Sequence, residues 1–94
     1  MPRPRALVSE RESIFAANIA SARAARGWSL DHVVTAIGGI MGTTALWRSE
    51  RDGRRVTVGE ALALCEVLDL DIHEATSRVL RFRVEVTVET EALS

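Results

Sequence analysis

The sequence predicts a small, mainly α-helical domain of five helices, followed by one β-strand at its C-terminal end. Apolar residues recur at helical spacing through most of the first 80 positions. Glycines and capping residues divide that stretch into five segments. After Leu80 the apolar spacing changes to every second residue, which is typical of a strand. The chain of 94 residues is long enough for one such domain.

The composition is that of a folded protein. Hydrophobic residues make up 47% of the chain and charged residues 27%, which are both near the average of globular domains, so we expect folding rather than disorder. No apolar run approaches the roughly 20 residues of a membrane-spanning helix. The N-terminal stretch lacks the apolar centre of a signal peptide, and we therefore expect no membrane partner and a cytoplasmic protein. A single cysteine, Cys65, excludes an internal disulfide framework and a cysteine-based zinc cluster.

The first two helices follow from their caps. Residues 1–8 contain MPRPR and are predicted to form an irregular, basic N-terminal arm. Ser9 and Glu12 match a capping box, so the first helix and the helical domain, residues 9–80, should begin there. Gly27 should end that helix in a left-handed conformation. Ser29 is then predicted to cap a second helix over 30–37, which is broken by two glycines at 38–39.

The third helix should begin near Gly42 or Thr43 and run to about Glu50. Leu46 is predicted to face the core, whereas Thr43, Thr44 and Arg48 project away from it. The sequence RDGRR follows, at residues 51–55, and is predicted to be a loop. Together, residues 29–53 predict two short helices joined by a tight turn.

The fourth and fifth helices are also marked by caps. Thr57 and Glu60 form a second capping box, and the apolar face that follows is predicted to end at Asp69. Asp71 should cap a fifth short helix from Ile72 to about Val79.

The C-terminal segment, residues 81–94, carries the predicted strand. Four apolar residues alternate with polar ones there: Phe82, Val84, Val86 and Val88. A lone strand leaves its backbone groups unpaired, and pairing with a second copy of the chain is the simplest solution. We therefore expect a homodimer through this segment. The strand could instead fold back on its own domain or wait for another protein.

The net charge of −1 divides unevenly along the chain. Residues 1–55 contain nine Arg and five acidic residues, or +4, whereas residues 56–94 contain three Arg and eight acidic residues, or −5. The two parts sum to the total. A polyanion would therefore meet the first half of the chain. Every cation is Arg, the side chain that makes forked contacts with phosphate or guanine.

From about Phe15 to Ala75, some two-thirds of the chain, the sequence resembles the Cro/repressor-type helix-turn-helix family, also called the xenobiotic-response-element family. The resemblance is carried by the order and spacing of a whole set of residues rather than by one strict motif. These residues are Phe15, Ile19, Arg23, Gly27, Trp28, Ser29, Val33, Val34, Ile37, Gly38, Leu46, Glu50, Gly53 and the run VTVGEALALCEVLDLDI at 56–72.

The resemblance implies a five-helix domain that binds operator DNA, usually as a dimer on a palindromic site. The helix around 42–50 would be the recognition helix, and Arg23 and Glu50 would form a structural ion pair between the first and third helices. Three departures stand out. The turn before the third helix is about two residues longer than usual, Leu30 stands where many members have Gln, and Ser49 occupies a usually apolar position, which favours partial burial of Trp47.

The residues expected to contact double-stranded DNA lie in and around the two helices. Thr can hydrogen-bond bases and offer its methyl group to thymine, and Arg can fork onto guanine. Arginines beyond the helix would meet flanking phosphates, which fix register while base contacts specify sequence. The predicted DNA-binding residues are Ser29, Thr43, Thr44, Trp47, Arg48, Arg51, Arg54 and Arg55.

No arrangement of residues predicts an enzyme, a cofactor or a metal site. His32 and His73 lack metal-ligand spacing with a second ligand, and no catalytic set of Ser, His and Asp or of Cys and His stands out. The main functional expectation is a transcriptional regulator, such as a phage or prophage repressor. Two alternatives remain: an antitoxin that binds its toxin through the C-terminal segment, and a protein-interaction module without DNA binding, against which the charge division argues.

Overall fold

The computed structural model describes residues 5–52 and 56–83, and the side chains of residues 10–51 and 56–83. This part of the chain is mainly helical, as the sequence predicts. It contains five helices: α1 (Arg5–Ala25), α2 (Leu30–Ala36), α3 (Thr43–Asp52), α4 (Val58–Leu68) and α5 (Ile72–Ser77). The long α1 contacts α3, α4 and α5, and α2 contacts α3 and α4, so the helices share one core.

Helix α1 begins earlier than the capping residues predict. It starts at Arg5 rather than at Ser9, which lies inside the helix. The expected cap at Ser9 is therefore wrong, and so is the irregular conformation expected of residues 5–8; residues 1–4 lie outside the described residues. The segment from Arg5 to Arg26 contains neither Gly nor Pro, and its Ala and Leu residues favour helix, so nothing in it stops the helix at Ser9. Gly27 ends α1 at a φ of 69°, as predicted.

The caps of α4 and α5 are confirmed. The Thr57 hydroxyl accepts a hydrogen bond from the Glu60 amide at 3.1 Å, and the Glu60 carboxylate accepts one from the Thr57 amide at 3.0 Å. This is the predicted capping box. Asp69 ends α4 in the left-handed region at a φ of 58°. Asp71 caps α5 by accepting from the Glu74 amide at 3.0 Å, although α5 ends at Ser77 rather than near Val79.

The core contains side chains from all five helices and from the turn before α3. Leu46, Leu64 and Val33 have no exposed surface. Cys65 is also buried, and burial, followed by the charge of Asp71, raises the pKa of its thiol. The other members of the core are Phe15, Ile19, Ala22, Ile37, Met41, Ala61, Leu68 and Ala75.

A buried amide ties the end of the described chain to α1. The Asn18 side chain has no exposed surface. Its nitrogen donates to the carbonyl oxygens of Ala75 and Arg78, both at 2.9 Å, and its oxygen accepts from the Leu80 amide at 2.8 Å. One backbone group of α5 and two that follow the helix thus find partners on one side chain, which fixes the path of the chain after α5.

The segment after α5 only partly overlaps the predicted strand. Residues 81–83 have no regular secondary structure, and Phe82 is half-buried against the core of its own domain. The other three residues of the predicted dimer face, Val84, Val86 and Val88, lie outside the described residues. Within the described ranges, none of the helices combines the length and the apolar character needed to cross a membrane.

Candidate nucleic-acid interface

Helices α2 and α3 are joined by a turn that depends on two glycines. Ser29 caps α2, because its hydroxyl accepts from the His32 amide at 3.0 Å. After Ile37 the chain passes through Gly38 and Gly39, at φ angles of 76° and 72°. The Gly39 amide donates to the Val34 carbonyl at 2.9 Å, which closes the end of α2. Two successive left-handed residues reverse the chain here at a low conformational cost only because both are glycine.

One side of α3 is fixed against the domain. Leu46 is fully buried, and Ser49 is 5% exposed, with its hydroxyl donating to the Ala45 carbonyl at 2.8 Å. A serine can therefore occupy this inward position because its hydroxyl is satisfied within the helix. The serine at position 49 favours partial burial of Trp47, but 42% of the surface of Trp47 is exposed.

The predicted ion pair between Arg23 and Glu50 is present. The Arg23 Nε lies 2.8 Å from one carboxylate oxygen of Glu50, and one terminal nitrogen lies 2.9 Å from the other. The second terminal nitrogen donates to the Trp28 carbonyl at 2.7 Å. The hydrogen bond to Glu50 raises the pKa of Arg23, against the opposing effect of burial. The forked geometry sets the angle of α3 relative to α1 and to the start of α2.

The opposite side of α3 carries four exposed side chains in one line. Thr44, Trp47, Arg48 and Arg51 are exposed, and their spacing places them on a single face of the helix. We call these four residues the α3 stripe. The Arg51 guanidinium lies 4.7 Å from the centroid of the Trp47 ring, within the range of a cation–π contact. The α3 stripe therefore presents one hydroxyl, one indole and two guanidinium groups.

Two of the predicted DNA-binding residues have structural hydrogen bonds. The Thr43 hydroxyl donates to the Asp31 carboxylate at 2.7 Å, which ties the first turn of α3 to the first turn of α2. Thr43 is half-buried and lies beside the α3 stripe, so its hydroxyl proton is already used. Ser29 is exposed and uses its oxygen as the cap of α2, while its hydroxyl proton can still be donated. Arg54 and Arg55 lie outside the described residues.

Several contacts around the site are not predicted from the sequence. Asp31 accepts a hydrogen bond from Thr43, a role that its charge alone does not indicate. The rings of Trp28 and His32 stack with centroids 4.5 Å apart, and the Arg26 guanidinium lies 4.9 Å from the Trp28 ring. The spacing of four between Trp28 and His32 is a signal that could have indicated their contact. This stack braces the corner between α1 and α2.

Comparison with known proteins adds no identification. No family model, no curated protein and no solved structure matches the chain.

Proposed function

We propose that this protein is a sequence-specific DNA-binding regulator of the repressor type. It inserts α3 into the major groove of double-stranded DNA and acts as a homodimer on a palindromic operator. The observation that carries the proposal is the α3 stripe, because four side chains suited to DNA contact share one exposed face of a helix whose opposite side is fixed in the core.

The dimensions and chemistry of the α3 stripe suit a base-reading surface. A helix with its side chains is about 10–12 Å across, which fits the major groove of B-DNA. Thr44 can hydrogen-bond either kind of base edge, and Arg48 can make a forked contact with guanine. Arg51 lies a full turn further along and is assigned to a phosphate or to the outermost base pair. The proposal therefore gives Thr44, Arg48 and Arg51, three of the four residues of the α3 stripe, a contact of known chemistry.

The contacts that hold α3 against the domain suit a recognition helix, which must keep one orientation. Base readout requires side chains held within a fraction of an ångström of their targets, which is easier on a rigid element than on a loop. The bidentate contact of Glu50 with Arg23 and the hydrogen bond of Thr43 with Asp31 hold α3 near its end and at its beginning. These residues are thus assigned to positioning rather than to base contact.

Selection of bound duplexes from a random DNA pool tests the proposal directly. We expect one enriched motif with two-fold symmetry and half-sites about one helical turn apart. Affinity for that motif should fall as salt rises, since bound arginines release counterions from the phosphates. Recovery of random sequences bound no better than the starting pool would refute sequence-specific binding.

Paired substitutions then locate the contact surface. Arg48→Ala should weaken binding to the selected motif by about 10-fold to 100-fold and relax the preference at one position of each half-site. Arg81→Ala is the matched control. Arg81 is exposed and remote from α3 in the chain, and its substitution removes the same charge. Equal losses in the two variants would mean that only overall charge matters and would contradict the role of α3.

A further inference from the structure

The indole of Trp47 is the feature of the α3 stripe that a general DNA-binding role leaves unexplained. Its 42% exposed surface makes it one of the exposed large apolar side chains of the described residues, and α3 contributes no other. For phosphate contact an exposed indole offers only its single N–H donor, and the two neighbouring arginines already supply charge and several donors. Its position in the α3 stripe calls for a separate explanation.

The surroundings of the indole place it at the middle of the α3 stripe. Thr44 precedes it by one turn, Arg51 follows it by one turn, and Arg48 is its neighbour in sequence. In helix-turn-helix complexes the N-terminal residues of the recognition helix contact base edges, and Trp47 is the fifth of the ten residues of α3. The Arg51 guanidinium lies over the ring of Trp47, at 4.7 Å from its centroid, as in a cation–π contact.

The chemistry of the major groove narrows what an indole can read. Three kinds of base edge present hydrogen-bond donors or acceptors alone, and thymine adds a 5-methyl group, an apolar group that projects into the groove. Trp has a single donor and no acceptor, so it cannot make a forked contact with guanine or adenine. Its large apolar surface matches the thymine methyl.

We propose that Trp47 is a specificity-determining residue that reads the 5-methyl group of a thymine next to the base pair contacted by Arg48. The inference rests on the proposed function, since it assigns part of the sequence that α3 recognises. Arg51 acts as a positioning residue, because its contact with the ring holds the indole in one orientation toward the groove.

Replacement of thymidine by deoxyuridine tests this contact alone, because thymine and uracil differ only by the methyl group. The duplex is the motif selected from the random pool, with each thymine replaced in turn. We expect one replacement per half-site to weaken binding of the parent protein by about fourfold, the effect of losing one buried methyl group. All other replacements should leave the affinity unchanged within about twofold.

Three variants assign the effect to a side chain. Trp47→Gln keeps a helix-forming residue without the ring and should bind the thymine and deoxyuridine duplexes equally. Thr44→Ser removes the other methyl group of the α3 stripe that could meet thymine, and should retain the fourfold difference. Leu62→Ala removes an exposed apolar side chain from α4 and should also retain it. The ratio of two affinities of one protein is insensitive to the fraction that is folded.

The outcomes separate this inference from the proposed function. A selected motif without any position sensitive to deoxyuridine overturns the role of Trp47 and leaves DNA binding intact. Loss of the difference in Thr44→Ser with its retention in Trp47→Gln assigns the methyl contact to Thr44 and also overturns it. Failure of the selection itself refutes the proposed function before the thymine test begins.

Fluorescence gives an independent readout. The chain contains two tryptophans, so Trp28→Phe leaves Trp47 as the sole indole while keeping a ring at position 28. We expect the emission of this variant to shift or to be quenched when the selected duplex is added. A spectrum unchanged at saturating duplex would mean that the indole stays in water, which overturns the assignment.

Discussion

At the residue scale, the described domain depends on polar side chains that each hold several partners. Arg23 of α1 donates to Glu50 of α3 and to the Trp28 carbonyl. It thereby joins α1, α3 and the connection between α1 and α2. Asn18 has the same role on the other side of α1, with three backbone partners. Because such groups are shielded from water, loss of one side chain leaves all its partners unsatisfied. Their removal should be more damaging than that of exposed pairs.

Glu50→Ala should lower the free energy of unfolding by about 2–3 kcal/mol. The full cost of breaking a buried pair is not expected, because the Arg23 side chain keeps 22% of its surface exposed and the Glu50 side chain 9%. Urea unfolding followed by circular dichroism measures the change. The matched control is Arg78→Ala, which breaks the exposed pair with Glu74 and should cost less than about 1 kcal/mol. A Glu50→Ala midpoint equal to that of the parent would contradict a structural role for the pair.

Asn18→Leu should lower the free energy of unfolding by about 3 kcal/mol, although the two side chains are branched in the same way. The apolar residue cannot satisfy the buried Ala75 carbonyl, whose loss of a partner costs about 1–3 kcal/mol, or the part-buried Arg78 carbonyl and Leu80 amide, which add smaller costs. Hydrogen exchange gives a local readout, since the Leu80 amide should lose protection. Ser21→Ala on the exposed side of α1 is the control and should change stability by less than about 0.5 kcal/mol. Retained protection of Leu80 would show that Asn18 does not hold this segment.

At the scale of elements, local signals predict the helices well, whereas contacts between elements escape the sequence. The caps at Ser29, Thr57 and Asp71 are each satisfied within three residues, so the local sequence contains all the information they need. Ser9 matches the same pattern but lies inside α1, because helix propagation from Arg5 outweighs one capping box. The bond between Asp31 and Thr43 spans a turn whose geometry the sequence does not specify.

The features of the candidate site also fall into those that the local sequence predicts and those that it does not. The exposure of Arg48 and the inward position of Leu46 follow from helical periodicity and are predictable. The ion pair of Arg23 with Glu50 was expected from the family resemblance, not from periodicity. The role of Asn18 was missed because an amide within an apolar face reveals its partners only after the distant segment is in place.

Replacement by alanine should change the stability in opposite directions at Gly38, in the turn between α2 and α3, and at Gly59, in α4. Gly38→Ala should destabilise the protein by about 1 kcal/mol, since its φ of 76° disfavours a side chain even though the added Cβ would meet open space. Gly59→Ala in α4 should instead stabilise it by about 0.5 kcal/mol, because the position is helical and its nearest atom lies 4.0 Å away. Thermal unfolding of both variants measures the difference. Similar shifts in the same direction would contradict the strained geometry assigned to the turn.

At the scale of the whole molecule, charge and symmetry decide how the protein would meet DNA. The excess of arginine lies in residues 1–55, whereas Glu66 of α4, its C-cap Asp69 and Glu74 of α5 are exposed. Such a division orients the approach to a polyanion before any contact is made. The proposed two-fold symmetry needs two copies of the chain, and the segment predicted to join them is described only at residues 81–83.

The predicted dimer interface can be tested at the three valines Val84, Val86 and Val88 without disturbing Phe82. Phe82 packs against the core of its own domain, so truncation after Arg83 keeps that contact and removes residues 84–94, which include the three valines of the predicted strand. We expect the truncated protein to sediment as a monomer and to lose affinity for the palindromic motif. Substitution of Val84, Val86 and Val88 by Ser should have the same effect, whereas serines at the polar positions 85, 87 and 89 should not. A truncated protein that remains a dimer would move the interface into residues 1–83.

The hydrogen bonds of Asn18 also set an order of events during synthesis. Its partners lie 57, 60 and 62 residues further along the chain, so α1 leaves the ribosome long before the groups that satisfy its buried amide. Until then the amide can remain solvated only if the apolar face around it stays open. Closure of the core is therefore coupled to translation of residues 75–80, and a nascent chain arrested before residue 75 should remain sensitive to protease.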